Sequence, residues 1–403
     1  MGGKTSEHSS LLVLGTLSGV PAIWALSNSM IIPVLPEIQS ALRISPLQGG
    51  LLVTVLSVST GLCLPLAGFL SDRLGRKTVM IPGIVIYGLG GLVAGLASWW
   101  LSRPYPWILA GRALQGIGAA GTTPLALALT ADLFRNRRRM SALGILEAAN
   151  SIGKLASPIF GSAAALVAWY FPFFIYPALA LPAALLLAMY LRDPVASTKQ
   201  TLGRYFSRLL IAGQKKEASL LLSLLAGFAA IFLWFGTLFF TAEMLELRYS
   251  VGGLARGGAL ALPVLALAIV SLGSARYLQP SGPLRLVVRG LAVTGLALGW
   301  MLLARSWETL TLAVTLMGAG LGLVLPSLNT LITSCIAAEQ RGAITTLYGS
   351  VRSFGSALGP PAFAYLMARG TACALVPAML LSWASAILAY AGIKEKQMLQ
   401  PGG

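Results

Sequence analysis

The sequence predicts an all-α membrane protein whose twelve transmembrane helices form two pseudo-symmetric six-helix bundles. Three observations lead there. Of 403 residues, 56% are hydrophobic and only 10% charged, with a mean hydropathy of +0.80, where soluble domains carry about 25% charged residues. The apolar residues run continuously over stretches near the roughly 20 residues that a helix needs to cross about 30 Å of hydrocarbon, unlike the alternating segments of a β-barrel. The second half of the chain also repeats the first. The net charge of +17 would suit a nucleic-acid binder if it lay on solvated faces, but here short charged clusters separate the apolar runs.

Reading those runs in order gives spans at about 11–35, 47–70, 79–100, 107–132, 141–168 and 170–191, then 218–242, 253–276, 286–304, 309–335, 343–367 and 371–393. The longest polar segment falls between the sixth and seventh spans. It divides the chain into an N-terminal bundle, 1–191, a cytoplasmic linker, 192–217, and a C-terminal bundle, 218–403. The opening MGGKTSEHSS is polar. The run after it is too long for a signal-peptide core and lacks a small-x-small cleavage pattern, so it is read as a retained first span. The 45 glycines and 22 prolines suit membrane helices, where small residues let backbones approach and neighbours satisfy broken bonds. Cys63, Cys335 and Cys373 lack metal-ligand spacing and read as packing residues, so no metal or cofactor is expected.

Orientation follows from where Lys and Arg fall. With both termini in the cytoplasm, 20 of the 29 basic residues lie on that side and six on the other, in keeping with the positive-inside rule. The other three, Arg112, Lys154 and Arg352, fall inside spans. Shifting the chain by 202 residues pairs Gly116 with Gly318, Gly118 with Gly320, Pro124 with Pro326, Gly153 with Gly355 and Pro158 with Pro360. PEIQSALRIS after the first span likewise resembles AEMLELRYS after the seventh. Parallel repeats imply a pseudo-twofold axis along the membrane normal and a central cavity between the halves.

Three motifs lie on this frame. The loop after the second span reads GFLSDRLGRK, with Gly68, Leu70, Asp72, Arg73, Gly75, Arg76 and Lys77. The fourth span carries LAGRALQGIGAA, with Arg112, Gln115, Gly116 and Gly118, and the fifth carries SIGKLASPIFGS, with Gly153, Pro158 and Gly161. Together they resemble a major facilitator superfamily transporter of the twelve-span drug:proton antiporter group, although Ser157 and Ser162 stand where the antiporter motif has glycine. The resemblance implies alternating access, proton-coupled export, a coupling role for Arg112, and a latch at Asp72 that stabilises the outward-facing state. Read from the residues alone, the loop is a topology-determining turn, and Arg112 is a hydrogen-bonding link between helices.

Ionisable groups within spans are costly and mark function. In the fifth span, Glu147, Asn150, Ser151, Lys154, Pro158 and Gly161 share one helical face. In the eleventh, Gly349, Arg352, Ser353, Ser356 and Pro360 do the same. At 1.5 Å per residue, Lys154 and Arg352 lie about 17 and about 14 Å deep, near the midplane where such transporters bind substrate. Glu147 is the one carboxylate expected at hydrocarbon depth. It either couples protons, with Arg112 and Asp72 as further candidates, or neutralises Lys154 or Arg112 structurally. The candidate substrate contacts are Lys154, Arg352, Asn150, Asn28, Trp24, Phe232, Phe235 and Tyr348. The aromatics of the seventh span, from Phe228 to Phe240, form either a pocket wall or ordinary packing.

The expected function is a proton-coupled exporter of small amphipathic molecules, a monomer in the cell membrane with no nucleic-acid partner. The alternative is a dedicated exporter of an anionic metabolite such as a siderophore, or a flippase for an anionic lipid precursor, since the buried charges sum to positive. An enzyme is not expected, because His8 lies in the polar tail and the buried acid is single. Nor is a sensor, for want of a soluble signalling domain.

Overall fold

The computed structural model describes residues 2–134, 136–191, 217–335 and 341–399, without the side chains of 2–12, 27–28, 136–137, 139–140, 217, 275–281 and 341–343. The expected linker, 192–217, therefore lies almost wholly outside the described residues. Among those described, regular structure is helical throughout. The first half runs α1 (Gly2–Ser29), a 3-10 turn (Ile32–Val34), α2 (Leu35–Leu42), α3 (Pro46–Leu74), α4 (Arg76–Trp100), α5 (Tyr105–Ala120), α6 (Thr123–Leu133), α7 (Asn136–Ala165) and α8 (Phe171–Tyr190). The second half runs α9 (Glu217–Leu247), α10 (Gly253–Ser281), α11 (Pro283–Leu303), α12 (Trp307–Ser334), α13 (Arg341–Met367), α14 (Thr371–Gly392) and the short α15 (Glu395–Leu399). Successive spans alternate in direction, with α5 and α6 together making the fourth. One face of the bundle therefore holds the termini and the α3–α4 turn, and the opposite face holds the α2–α3 and α9–α10 loops.

Local chemistry sets the ends. Ser45 and Ser306 each close a capping box, with Gln48 and Thr309 respectively, satisfying amides that the first helical turn leaves free. The α3–α4 reversal turns on Gly75 at φ +102°, a conformation open to glycine and strained for other residues.

Two expected spans need correction. The fourth, read as continuous over 107–132, breaks at Gly121 and Thr122, where Thr122 leaves helical geometry at φ −105°, ψ −105°. Pro124 cannot donate back across the break, and the Thr122 hydroxyl instead bonds the Ala119 carbonyl at 2.6 Å. Pro326, its repeat partner, sits inside unbroken α12, so proline alone does not cause the break. The residues preceding Pro326 are Leu323 and Val324 where the first half has Gly121 and Thr122. The first span, expected over 11–35, is helical from Gly2 and stops at Ser29, before Pro33 and Pro36.

Among the described residues, eight helices are long and apolar enough to span a membrane by composition. The spans that fall short are the first, fourth, fifth and eleventh. They include the two with polar stripes and the one that breaks. Exposed Leu62, Ile152, Leu303 and Tyr390 suit contact with lipid, and Trp99 stacked on Trp100 at 5.2 Å marks an interface.

The sequence repeat is also a repeat of contacts. Gly116 lies on the Leu56 carbonyl and Gly318 on that of Pro263. Gly118 lies on Gly83 and Gly320 on Gly290, while Gly153 lies on Ala22 and Gly355 on Phe228. A Cβ at any of these six would stand 2.1–2.7 Å from the carbonyl oxygen. The spacing therefore encodes the same close helix pairs twice. Between the halves, α3 packs on α13 and α10 on α7, again a pseudo-symmetric pair of seams. Along them Thr54 donates to the Ala357 carbonyl at 2.6 Å, and Gly257 backs onto Pro158 and Ser162.

Candidate functional site

The small residues of α7 decide how it is rotated. Gly153 and Gly161 leave room for the α1 backbone at Ala22 and Met30, and between them Ser157 donates to the Leu26 carbonyl. Asn150 is buried, Lys154 partly buried and Glu147 exposed. Asn150 Nδ2 donates weakly to Glu147 at 3.4 Å. Lys154 is attracted by Glu147 and repelled by Arg352 of α13. Among the described residues no ion pair joins Glu147 to Lys154, so close structural neutralisation of that pair is not what the fold builds.

Arg352 lies over the Tyr348 ring at 5.4 Å, and Gly227 of α9 makes room for that ring. Asn150 Oδ1, Tyr348 Oη and Arg352 Nε are all shut from solvent without a hydrogen-bond partner. Orphaned buried polar groups are costly. Arg352 and Tyr348 on one helix, and Lys154 with Asn150 one turn before it on the repeat-related helix, make a candidate site for an anion bearing donors and acceptors. Arg352 is the repeat partner of Asn150 and Lys154 that of Ser356, so the halves supply their cations one turn apart.

Arg112 lies elsewhere. Fully buried in the first half, it donates from Nε to the Leu52 carbonyl at 3.0 Å and from Nη1 to Gln115 at 2.9 Å. Its guanidinium sits 5.9 Å from the Tyr176 ring, and among the described residues no ion pair joins it to Glu147. In the loop motif, Arg76 bonds Asp132 at 2.5 Å and Asp72 at 3.3 Å. Lys77 donates to the Leu191 and Ala188 carbonyls at 2.5 and 2.9 Å. These bonds tie the α3–α4 turn to α6 and α8 of the same half. Arg73 is exposed, and Gly68 accepts the Ser71 hydroxyl.

Most of the α9 aromatics serve packing: Trp234, Phe235, Phe239 and Phe240 are at most 7% exposed. Phe232 is partly exposed, stacked on Phe228 at 6.1 Å and close to Phe363. Trp24 lines a small cleft within the first half, with Val20, Ile23, Ile84, Tyr87, Thr122 and Ala183, and Lys154 is not among its lining residues. The Asn28 side chain lies outside the described residues.

One cluster went unread in the sequence, where its acids counted only as loop charge. On the opposite face, Arg256 is fully buried and pairs with Glu37 from the other half and with Glu246 at 2.7 Å. Gln39 Nε2 donates to Glu243 Oε1 at 2.6 Å, again across the halves. Burial raises the Glu37 carboxyl above the ordinary carboxylate range, against the pull of Arg256. The signal was present in PEIQSALRIS and AEMLELRYS, which set Glu37 and Glu243 at matching positions.

The family model described as Major Facilitator Superfamily matches residues 20–360. The Bacillibactin exporter of Bacillus subtilis (strain 168) is 38% identical over 359 residues, covering 87% of this chain and 89% of that protein. Major facilitator superfamily domain-containing protein 10 of Homo sapiens is 28% identical over 355 residues, covering 82% and 75%. The crystal structure of the human organic anion transporter MFSD10 superposes with a TM-score of 0.73 at 22% identity, covering 94% of this chain and 99% of that one. A D-xylose-proton symporter superposes at 0.74 and 14% identity, covering 97% and 99%.

Proposed function

The chain belongs to the Major Facilitator Superfamily, and from that premise we propose that it exports a small amphipathic anion of the siderophore class in exchange for protons. It is a secondary transporter working by alternating access. The observation that carries the anionic substrate is that Lys154 and Arg352 lie within electrostatic reach of each other, with Asn150 Oδ1, Tyr348 Oη and Arg352 Nε buried without partners on the same two helices. Like charges in a low-dielectric site repel unless an anion lies between them. The likeness to a bacillibactin exporter supports this reading.

In this scheme the bundles 1–191 and 218–403 rock about the α3–α13 and α10–α7 seams, joined by 192–217. Lys154, Arg352, Asn150 and Tyr348 meet the substrate, with Phe232 beside them. Phe235, Trp24 and Asn28 have a weaker claim, the first two through their burial or separate cleft. Glu147 exchanges protons at the mouth of the site. Arg112 braces α5 against α3, and the Asp72 to Lys77 loop steadies the first half. The protein works as a monomer in the cell membrane with both termini cytoplasmic.

Metabolomics of medium from cells with and without the protein identifies the substrate, and uptake into inverted vesicles under a pH gradient measures its transport. Lys154→Ala and Arg352→Ala each reduce transport by about tenfold or more, as loss of a charge-assisted contact of about 1.5–3 kcal/mol requires. Transport of the anion unchanged in both, with lost resistance to cationic drugs, supports a polyspecific drug exporter instead. Uptake indifferent to collapse of the pH gradient overturns the coupling.

A further inference from the structure

In the cluster on the opposite face, three acids meet one base. Glu37, Glu243 and Glu246 converge near Arg256, whose two terminal nitrogens are taken by Glu37 and Glu246. That leaves Glu243, 1% exposed, with the neutral amide of Gln39 as its hydrogen-bond partner. Arg256 Nε and Glu37 Oε2 remain buried and unpartnered beside it, so the cluster is incompletely neutralised. Both cross-half bonds, Gln39 to Glu243 and Glu37 to Arg256, must break for this face to open.

We infer that Glu243 is the proton-linked gate residue of the transporter: a proton from the medium on that face binds its carboxylate when the face opens, and the face closes over the neutral acid. The inference rests on the alternating-access reading. Moving an ionised carboxylate from water to a site of 1% exposure costs far more than moving the carboxylic acid. Closure is therefore bound to proton uptake. The 2.6 Å bond to Gln39 survives either way, because the amide can donate to a carboxylate or, turned over, accept from the acid. Glu37 supports the same sign, since its raised carboxyl binds a proton more tightly in the closed form than when solvated. Lower pH on this face thus favours closure.

The charged groups acting on Glu243 are Arg256 of α10, Glu37 of α2 and Glu246 of its own helix. On the neighbouring helices, Arg369 past α13 is held by Tyr365, and Arg305 and Glu308 at the start of α12 are exposed. Arg248, past α9, lies over Tyr249.

A reporter on the seam tests this without any substrate. Leu260→Cys, in a chain with Cys63, Cys335 and Cys373 replaced by serine, puts a thiol one turn beyond Arg256, at a position 1% exposed. A membrane-impermeant maleimide is applied to intact cells, and the labelling rate of the parent and of every variant is divided by the reagent's rate with free glutathione at the same pH, because the thiolate is the reacting form. The parent's rate so corrected is about tenfold higher at about pH 8 than at about pH 6, as one proton-linked equilibrium permits. Glu243→Gln labels slowly at both, and Glu243→Met does the same if the glutamine variant fails to reach the membrane. Glu37→Gln labels faster at both while keeping most of the pH ratio. Retention of the parent's ratio by both Glu243 variants, or no pH ratio in the parent, overturns the inference. A negative export assay leaves this result standing, and failure here leaves the export assay standing.

Discussion

The two ends of the bundle use the same chemistry for different purposes. At the end opposite the termini, one fully buried arginine, Arg256, and one amide, Gln39, bond acids across the two halves. At the termini end, Arg76 bonds Asp72 and Asp132, and Lys77 bonds the end of α8, all within the first half. The first arrangement holds two bodies together and must be undone in each transport cycle. The second stiffens one body and can persist throughout. Burial follows the difference: Arg256 is 0% exposed, whereas the Arg76 side chain is 23% exposed. A bond that governs a conformational equilibrium thus sits where solvent is excluded, and a bond that braces a turn sits where water screens it.

The strongest way to break this contrast is Arg256→Met. Glu37 and Glu246 lose their shared cation, and removing one partner of a buried pair costs about 3–5 kcal/mol. With the acids 31% and 42% exposed, the lower end of that range is expected in thermal unfolding of the detergent-solubilised protein. A cost no larger than that of a surface pair would erase the distinction between the ends.

Gly257→Val comes next. Its Cβ would meet the Pro158 carbonyl at 2.7 Å and the Ser162 hydroxyl at 2.6 Å, wedging the α10–α7 seam at a cost of about 1–3 kcal/mol. Maleimide labelling of Leu260→Cys should then rise at every pH, and unaltered labelling would show that this seam is not part of the closure. The smallest effect belongs to Arg76→Ala. An exposed pair contributes about 0–1 kcal/mol, so thermal stability should barely move and labelling on the far side should match the parent. A large rise in labelling would mean that the termini end also ties the halves.

Much of the fold was legible in the sequence because the bilayer imposes a simple rule: long apolar runs with small residues become helices of about the right length. The exceptions are instructive. The break in the fourth span depends on Gly121 and Thr122 preceding Pro124, a local effect that a hydropathy run does not register. In the candidate site, Lys154 and Asn150 could be grouped from their spacing on α7. The electrostatic reach of Lys154 to Arg352 needed the packing of the two halves along the α3–α13 and α10–α7 seams. Arg112 looked equivalent to Lys154 as a buried cation, yet the fold turns it onto Leu52 and Gln115.

By itself the sequence determined the membrane class, the repeat, and the glycine positions at which helices touch, because those follow from burial in lipid and from close-packing at fixed spacings. Only the tertiary structure decided which charges meet. Glu37 and Arg256 are 219 residues apart and Gln39 and Glu243 are 204 apart. Electrostatic pairing depends on distance in space, which chain spacing sets only within a single helix.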